Sequence, residues 1–147
     1  MPLPLSVSPC TCAALRRLTR RVSTIYDRHL AATGLKTSQY SLLITLRAAP
    51  MPLSALAQRS ATDRTTLTRN LAPLIRAGWV TMAPGQDARQ RILALTNAGL
   101  SKVDSAQPAW AAAQTLIETV LTPDSVRALH KNIDHAMTRL APLMFEN

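Results

Sequence analysis

The chain has few aromatic residues and few glycines, and each shortage argues against a class of protein. Its 147 residues include two tryptophans, two tyrosines and one phenylalanine. Proteins that stack single-stranded RNA on aromatic platforms need more rings than these. Only four glycines are present, and we find no phosphate-cradling glycine loop, paired carboxylates or nucleophile–base group. We therefore do not expect an enzyme.

Long apolar runs, a signal peptide and a disulfide framework are also missing. No apolar stretch approaches the ~18 residues that a membrane-spanning helix needs, and the N-terminus lacks the regions of a secretory signal. Cys10 and Cys12 form a single CxC motif, which is too little for a disulfide framework. His29, His130 and His135 show no metal-ligand spacing. We therefore expect a cytoplasmic protein without a metal or a cofactor.

Positive charge is abundant and unevenly distributed. The whole chain carries a net charge of +9, from 17 basic and 8 acidic residues. Residues 1–91 hold 13 of the basic and 3 of the acidic residues, a net charge of +10, whereas residues 92–147 hold 4 and 5, a net charge of −1. Such a field attracts a polyanion. A nucleic-acid interface is therefore expected in the first part of the chain.

Residues 53–96 begin with the pattern of two short helices joined by a tight turn. Ser54 is a suitable N-cap for the first helix, and Thr62 or Asp63 for the second. We expect a bend at Pro73, because an interior proline removes a helical hydrogen bond. The second helix repeats large apolar residues at the spacing of one buried face: Leu67, Leu71, Leu74 and Ile75.

Two strands are predicted after this helix pair. Gly78 suits the end of the second helix, where a positive φ is common. Strands follow over residues 79–82 and 91–95, and the loop between them contains Pro84-Gly85, a turn signal. We expect the hairpin to pack against the helices through Trp79, Val80, Ile92 and Leu95. The order of elements is that of a helix-turn-helix followed by a wing.

Helices are predicted on both sides of this module. Before it, one helix covers residues 10–33, and a second helix, with Thr37 or Ser38 as its N-cap, stops before Pro50. After it, one helix runs over residues 97–121 with a bend or interruption at Pro108, and another restarts at Thr122-Pro123-Asp124. Their apolar faces are more than a small winged module covers. We therefore expect a homodimer with interlocked terminal helices and two half-sites about one duplex turn apart.

This order of elements, with several short motifs, resembles the MarR family of bacterial transcription regulators. The motifs are Leu67-Thr68-Arg69, Gly78-Trp79-Val80, Asp87-Ala88-Arg89 and Leu95-Thr96. The resemblance implies a mainly α fold with a small β-hairpin wing, in one domain over residues 1–147. Within it, residues 10–34 and 97–147 would be dimerisation helices and residues 37–96 the winged helix-turn-helix lobe. The implied function is a dimeric transcription regulator, expected to be a repressor that binds a pseudo-palindromic operator in double-stranded DNA.

The resemblance also implies which side chains contact DNA, because the family places the second helix in the major groove and a wing arginine in the minor groove. The major-groove candidates are Arg64, Thr65, Thr66, Arg69 and Asn70, and the wing candidates are Arg89 and Arg91. Arginine can bind guanine, threonine a phosphate or a thymine methyl group, and asparagine adenine. Asp87 is expected to orient an arginine. The alternative is a nonspecific architectural DNA-binding protein, which would share the charge but would not need this recognition helix.

Thiol oxidation is one expected way of releasing the protein from DNA. Cys12 lies in the first turn of the predicted first helix, where the helix N-terminus favours a thiolate. The organic hydroperoxide regulators of the MarR family have a reactive cysteine in this helix and a tyrosine fourteen residues later, which Cys12 and Tyr26 match. Cys10 would serve as the resolving thiol if the N-terminus frays, or would pair across the dimer. A second tyrosine of that subgroup is replaced here by Thr37. The alternative role for Cys12 is a small apolar side chain in the dimer core.

Binding of a small aromatic or phenolic ligand is the other expected means of release. Many MarR-family members bind such a molecule between the dimer helices and the DNA-binding module. The residues here that can supply stacking and charge are Tyr26, Tyr40, Arg47 and Trp110.

Overall fold

The computed structural model describes residues 9–144, which form a mainly α fold with a small antiparallel sheet. Residues 1–8, which include most of the segment assessed for a secretory signal, and residues 145–147 lie outside the described residues. The α-helices and strands are α1 (Thr11–Leu30), α2 (Thr37–Ala48), β1 (Met51–Pro52), α3 (Leu53–Arg59), α4 (Arg64–Arg76), β2 (Val80–Pro84), β3 (Arg91–Leu95), α5 (Asn97–Leu121) and α6 (Pro123–Leu140). Short 3-10 helices follow α1 and α6, over Ala31–Thr33 and Ala141–Met144. The predicted fold class is confirmed.

The turn between α3 and α4 is built by side chains that the sequence identified only in part. Asp63 caps α4, because its Oδ1 accepts a hydrogen bond from the Thr66 N–H at 2.9 Å. The prediction that Ser54 caps α3 is wrong, because the helix already begins at Leu53 and has no side-chain cap. The Thr62 hydroxyl donates to the Ser60 carbonyl at 2.9 Å instead of capping. Asp63 therefore sets the first residue of the second helix.

Both interior prolines lie inside continuous helices. Pro73 stands in α4 and Pro108 in α5. Of the two alternatives expected at Pro108, an interruption is therefore wrong, whereas a bend there stays a prediction, as does the bend at Pro73. Leu71 and Leu74, on either side of Pro73, are both buried in the core. Packing on both sides of the proline compensates for the hydrogen bond that it cannot donate.

The sheet has three strands, one more than predicted, in the order β1-β3-β2. The wing hairpin pairs Val80 with Leu95 and Pro84 with Arg91, so that β2 begins one residue later than predicted. The added strand pairs Met51 with Leu93. Of the four residues expected to anchor the hairpin, Val80 is fully buried, whereas Trp79, Ile92 and Leu95 are only half-buried. Leu93, which was not among them, is fully buried as well.

One core unites the helix-turn-helix, the sheet and the first half of α5. Its largest fully buried side chains come from every one of these elements and from α1 and α2: Leu30, Leu43, Leu46, Leu56, Leu67, Leu74, Val80, Leu93 and Val103. This core holds α4 by one face and leaves the opposite face in solvent.

The terminal helices retain apolar side chains that the core does not cover. These lie in the first half of α1, the second half of α5, α6 and the 3-10 helix after it: Leu15, Leu18, Leu116, Val120, Leu121, Ile133, Met137, Leu140, Leu143 and Met144. Exposed apolar surface of this extent marks an interaction site in a folded protein. Within the described ranges, no helix is long and apolar enough to cross a membrane.

Candidate nucleic-acid interface

The exposed face of α4 presents two arginines and two threonines side by side. Arg64, Thr65, Thr68 and Arg69, together with Ala72, line one open groove. They stand there because the buried leucines occupy the other side of the helix. No acidic side chain lines this groove. Three of the predicted contact residues thus share one face, and Thr68 completes it. Its position four residues after Arg64 is the sequence signal that would have identified it.

Two other predicted contact residues lie away from that groove. The Thr66 hydroxyl donates to Asp63 Oδ2 at 2.8 Å, so this side chain is part of the helix cap. Asn70 is half-buried and lies with Leu67 in a separate cleft, which α2 and the end of α3 complete. Helix α4 therefore offers two polar surfaces rather than one.

The cap also shifts the acidity of Asp63. The hydrogen bonds from the Thr66 N–H and the Thr66 hydroxyl stabilise the carboxylate and lower the pKa of Asp63 below its ordinary value of 3.8. Asp63 is therefore ionised at neutral pH. Its charge lies at the positive end of the α4 dipole, where an anion is favoured.

The wing loop holds its arginines through the backbone. Asp87 Oδ1 accepts a hydrogen bond from the Arg89 N–H at 3.0 Å, and the Asp87 carbonyl accepts one from the Gln90 N–H at 2.9 Å. We expected Asp87 to orient an arginine, and its hydrogen bond positions the backbone at Arg89. Among residues 9–144, Asp87 forms no ion pair with an arginine side chain. Arg89 and Arg91 are both exposed.

Cys12 lies in the first turn of α1, as predicted, and is its second residue. Cys10, which was expected to begin this helix, immediately precedes it with an extended backbone (φ −70°, ψ 111°). Both side chains are exposed. Cys12 borders an open groove of 770 Å³, which it shares with two arginines and two leucines of the terminal helices: Leu15, Arg16, Arg20 and Leu140. The groove combines positive charge with apolar surface around one thiol.

Three of the four residues predicted to bind an aromatic ligand are packed against one another. The Trp110 ring stacks on Tyr26 and on Tyr40, with centroids 6.3 and 6.2 Å apart. Arg47 does not join them, because its Nη1 forms an ion pair with Asp104 Oδ1 at 2.9 Å. A groove of 450 Å³ is lined by Tyr40 and Trp110 with parts of α2 and α5, and neither Tyr26 nor Arg47 borders it.

Both tyrosine hydroxyls are held in the neutral form. Burial raises the pKa of Tyr26, and the nearby Glu118 carboxylate raises it further. Burial also raises the pKa of Tyr40, with Arg47 lowering it and Asp104 raising it to smaller extents. The Tyr26 hydroxyl donates a hydrogen bond to Gln114 Oε1. Both hydroxyls are therefore protonated at neutral pH. Within residues 9–144, no group of three or more His, Cys, Asp or Glu side chains is placed to hold a metal ion.

Solved structures relate this fold to known regulators. The transcriptional regulator MosR of M. tuberculosis, in complex with DNA, is 34% identical with a TM-score of 0.77, over 88% of this chain and 97% of that one. A second MosR structure is 30% identical with a TM-score of 0.75, over 91% of this chain and 99% of that one. The chain belongs to the MarR family of transcriptional regulators.

A more distant member shows how widely this MarR fold is shared. A mutant MarR from E. coli, complexed with operator DNA, has a TM-score of 0.76 at 22% identity, over 85% of this chain and 91% of that one. No protein-family model and no curated protein sequence matches this chain.

Proposed function

We propose that this MarR-family protein is a dimeric, sequence-specific DNA-binding transcription regulator that acts as a repressor. The observation that carries the proposal is the α4 groove, where Arg64, Thr65, Thr68 and Arg69 are exposed together and which no acidic side chain lines. An arginine guanidinium group can donate two hydrogen bonds to the O6 and N7 acceptors of guanine, and a threonine side chain can contact a phosphate or a thymine methyl group. The relative MosR, whose structure was solved in complex with DNA, adds support.

The wing supplies a second contact in this proposal. The loop held by Asp87 carries Arg89 to the minor groove, and Arg91 neutralises the neighbouring backbone. Because each arginine that meets a phosphate releases counterions, binding weakens as salt concentration rises.

The uncovered apolar side chains of the terminal helices support a homodimer. A second copy of the chain would bury them, and a twofold pair of α4 helices would then meet two half-sites of a pseudo-palindromic operator. In this arrangement residues 10–34 and 97–147 form the dimerisation part of a single domain spanning residues 1–147. Residues 37–96 form the DNA-binding lobe.

Competition binding tests the proposed function. A regulator prefers DNA from upstream of its own gene over random DNA by a factor of about 10³ or more, whereas a nonspecific architectural protein binds both equally. Arg64→Ala and Arg89→Ala should weaken binding without dissociating or unfolding the dimer. Arg28→Ala is the matched control, because Arg28 is exposed on α1, outside the helix-turn-helix. Equal binding of both DNAs would overturn the proposal.

Oxidation of Cys12 is our proposed means of release from the operator. An organic hydroperoxide would be attacked by the Cys12 thiolate, giving a sulfenic acid and an alcohol. The Cys10 thiol would then displace hydroxide, giving a disulfide and water. Arg16 and Arg20 place positive charge in this groove beside the Cys12 thiol, and the apolar side of the groove, which includes Leu140, suits the organic part of the peroxide. The groove also borders the apolar surface that the second copy is proposed to cover.

A small phenolic ligand is the second candidate for release. Tyr40 and Trp110 offer a stacking face and a neutral hydroxyl in an open groove. Arg47 would bind a carboxylate of the ligand there only after its ion pair with Asp104 breaks. A phenolic acid that lowers operator affinity equally in wild type and Cys12→Ser would favour this candidate over oxidation.

A further inference from the structure

We propose that the cleft between α2 and the helix-turn-helix is a binding site for one phosphodiester group of the DNA backbone. The inference rests on the proposed function and adds a contact surface to it. The cleft has a volume of 300 Å³. It is lined by polar side chains of α2, of the end of α3 with the following turn, and of α4: Ser38, Ser41, Thr45, Arg59, Ser60, Thr62 and Asn70, with Leu42 and Leu67 at its base.

Hydrogen-bond donors without acceptors dominate this cleft. The hydroxyl of Thr45 donates to the Ser41 carbonyl at 2.8 Å, and that of Ser60 to the Leu56 carbonyl at 2.6 Å. Four other donor side chains have no acceptor within residues 9–144: Ser38, Ser41, Arg59 and Asn70. Arg59 is the one charged residue of the lining and forms no ion pair in this part of the chain. A cleft with several unused donors, one guanidinium and no carboxylate is suited to an anion.

The position of the cleft identifies the anion as a backbone phosphate. When a recognition helix lies in the major groove, a phosphate strand runs along each of its flanks, and the preceding helix crosses the backbone. Asn70 stands on the flank of α4, beside the α2 side chains and away from the groove of Arg64 and Arg69. The strand on this flank therefore passes the mouth of the cleft.

This placement changes the role of Asn70. Adenine reading requires an amide that faces the base edges with the other recognition side chains. The half-buried Asn70 instead lines the cleft together with Ser38 and Ser41 of α2. Its NH₂ group and the Arg59 guanidinium hold the phosphate between them. Asn70 is thus a positioning residue that fixes the register of α4 in the groove.

Phosphate contacts and base contacts differ in their effect on specificity, and this difference provides the test. Operator and random-sequence binding are measured over a range of salt concentrations for wild type, Asn70→Ala, Asn70→Asp and Arg59→Gln. We expect Asn70→Ala and Arg59→Gln to weaken binding of both DNAs by a similar factor, about 5- to 50-fold. Arg59→Gln should also reduce the salt slope by about one. The nearly isosteric Asn70→Asp should weaken binding further than Asn70→Ala, because it places a carboxylate beside the phosphate.

Two controls separate this inference from the proposed function. Gln58→Ala removes an exposed amide beside Arg59 that does not line the cleft, and Arg28→Gln removes a charge outside the helix-turn-helix. If the wild type prefers its operator but the cleft variants bind DNA as tightly as these controls, the proposed phosphate site is wrong and the proposed regulator function is retained. If Asn70→Ala loses operator binding alone and changes base preference, Asn70 reads a base and the inference is also wrong. A wild type without operator preference would instead overturn the proposed function.

Discussion

The Lys102 ammonium group lies 4.7 Å from the centre of the Trp79 ring and donates a hydrogen bond to the Thr33 carbonyl oxygen. Trp79 joins α4 to the wing, Thr33 ends the short helix after α1, and Lys102 belongs to α5. One half-buried side chain thus connects α4, the wing and two terminal helices. A cation over an indole face, with a charged hydrogen bond on its other side, stabilises such a junction.

Replacing Lys102 should therefore loosen this junction. We expect Lys102→Met to lower the free energy of unfolding by about 1–2 kcal/mol, with a fall in melting temperature of ~3–8 °C. Thermal and urea denaturation measure both quantities. Lys131→Met is the control, because Lys131 is exposed on α6 and its loss should change stability by about 0.5 kcal/mol or less. Equal stability of the two variants would show that the Lys102 contacts contribute nothing.

Gly99 should not tolerate a side chain, although it lies in the first turn of a helix. A Cβ atom at this position would lie 2.2 Å from the Trp79 carbonyl oxygen and 2.7 Å from Leu95 Cδ1. In an exposed helix Gly→Ala stabilises by about 1 kcal/mol, but here overpacking should reverse the sign and destabilise by about 1–3 kcal/mol. Urea denaturation of Gly99→Ala tests this, with Asn97→Ala on the same turn as control. A more stable Gly99→Ala would contradict the predicted clash.

Asp63 should make the stability of α4 depend on pH below neutrality. The Thr66 hydrogen bonds lower its pKa in the folded state, so the unfolded chain takes up the proton first as pH falls. The contribution of Asp63 is therefore complete above its ordinary pKa of 3.8 and is lost as pH falls from there through the lower folded value. Melting temperatures between neutral pH and pH ~3 should show a steeper acid loss for wild type than for Asp63→Asn, which keeps a cap acceptor but does not titrate. Parallel curves would remove Asp63 as a source of acid sensitivity.

The sequence predicted the helices well because their apolar residues recur at a regular spacing. The buried face of α4 and its Asp63 cap depend on neighbours along the chain, and both could be read directly. The third strand could not be predicted, since Met51 and Pro52 show no periodic apolar pattern and pair with β3 only after the chain has folded. Likewise, the motif led us to place Asn70 with the other contact residues, whereas its surroundings come from α2 and α3.

The candidate sensor residues show the same limit. The position of Cys12 in the first turn of α1 follows from local sequence, and the structure agrees. The groove around Cys12 does not follow from local sequence, because one of its lining residues, Leu140, comes from the far end of the chain. Arg47 was grouped with the aromatic residues, but its partner Asp104 lies on another helix. Contacts of this kind depend on tertiary packing, which no local pattern encodes.

Oxidation should release wild-type protein from DNA through Cys12. Gel-shift binding to the upstream DNA, with and without cumene hydroperoxide, compares wild type, Cys12→Ser and Cys10→Ser. We expect the oxidant to weaken wild-type binding by about 5- to 150-fold, the usual range of coupling between two sites, and to leave Cys12→Ser unchanged. The reason is that the sulfenic acid or disulfide would form in the first turn of α1, beside apolar side chains that the second copy is proposed to cover.

The Cys10→Ser variant separates the two oxidation products. If the sulfenic acid alone releases DNA, this variant should respond as the wild type does. If the disulfide is required, Cys10→Ser should keep binding while mass spectrometry detects oxidised Cys12. The disulfide must disturb the first turn of α1, where the Ala14 N–H donates to the Cys10 carbonyl at 3.1 Å. An identical response of wild type and Cys12→Ser would exclude thiol sensing at Cys12 and favour the groove beside Tyr40 and Trp110.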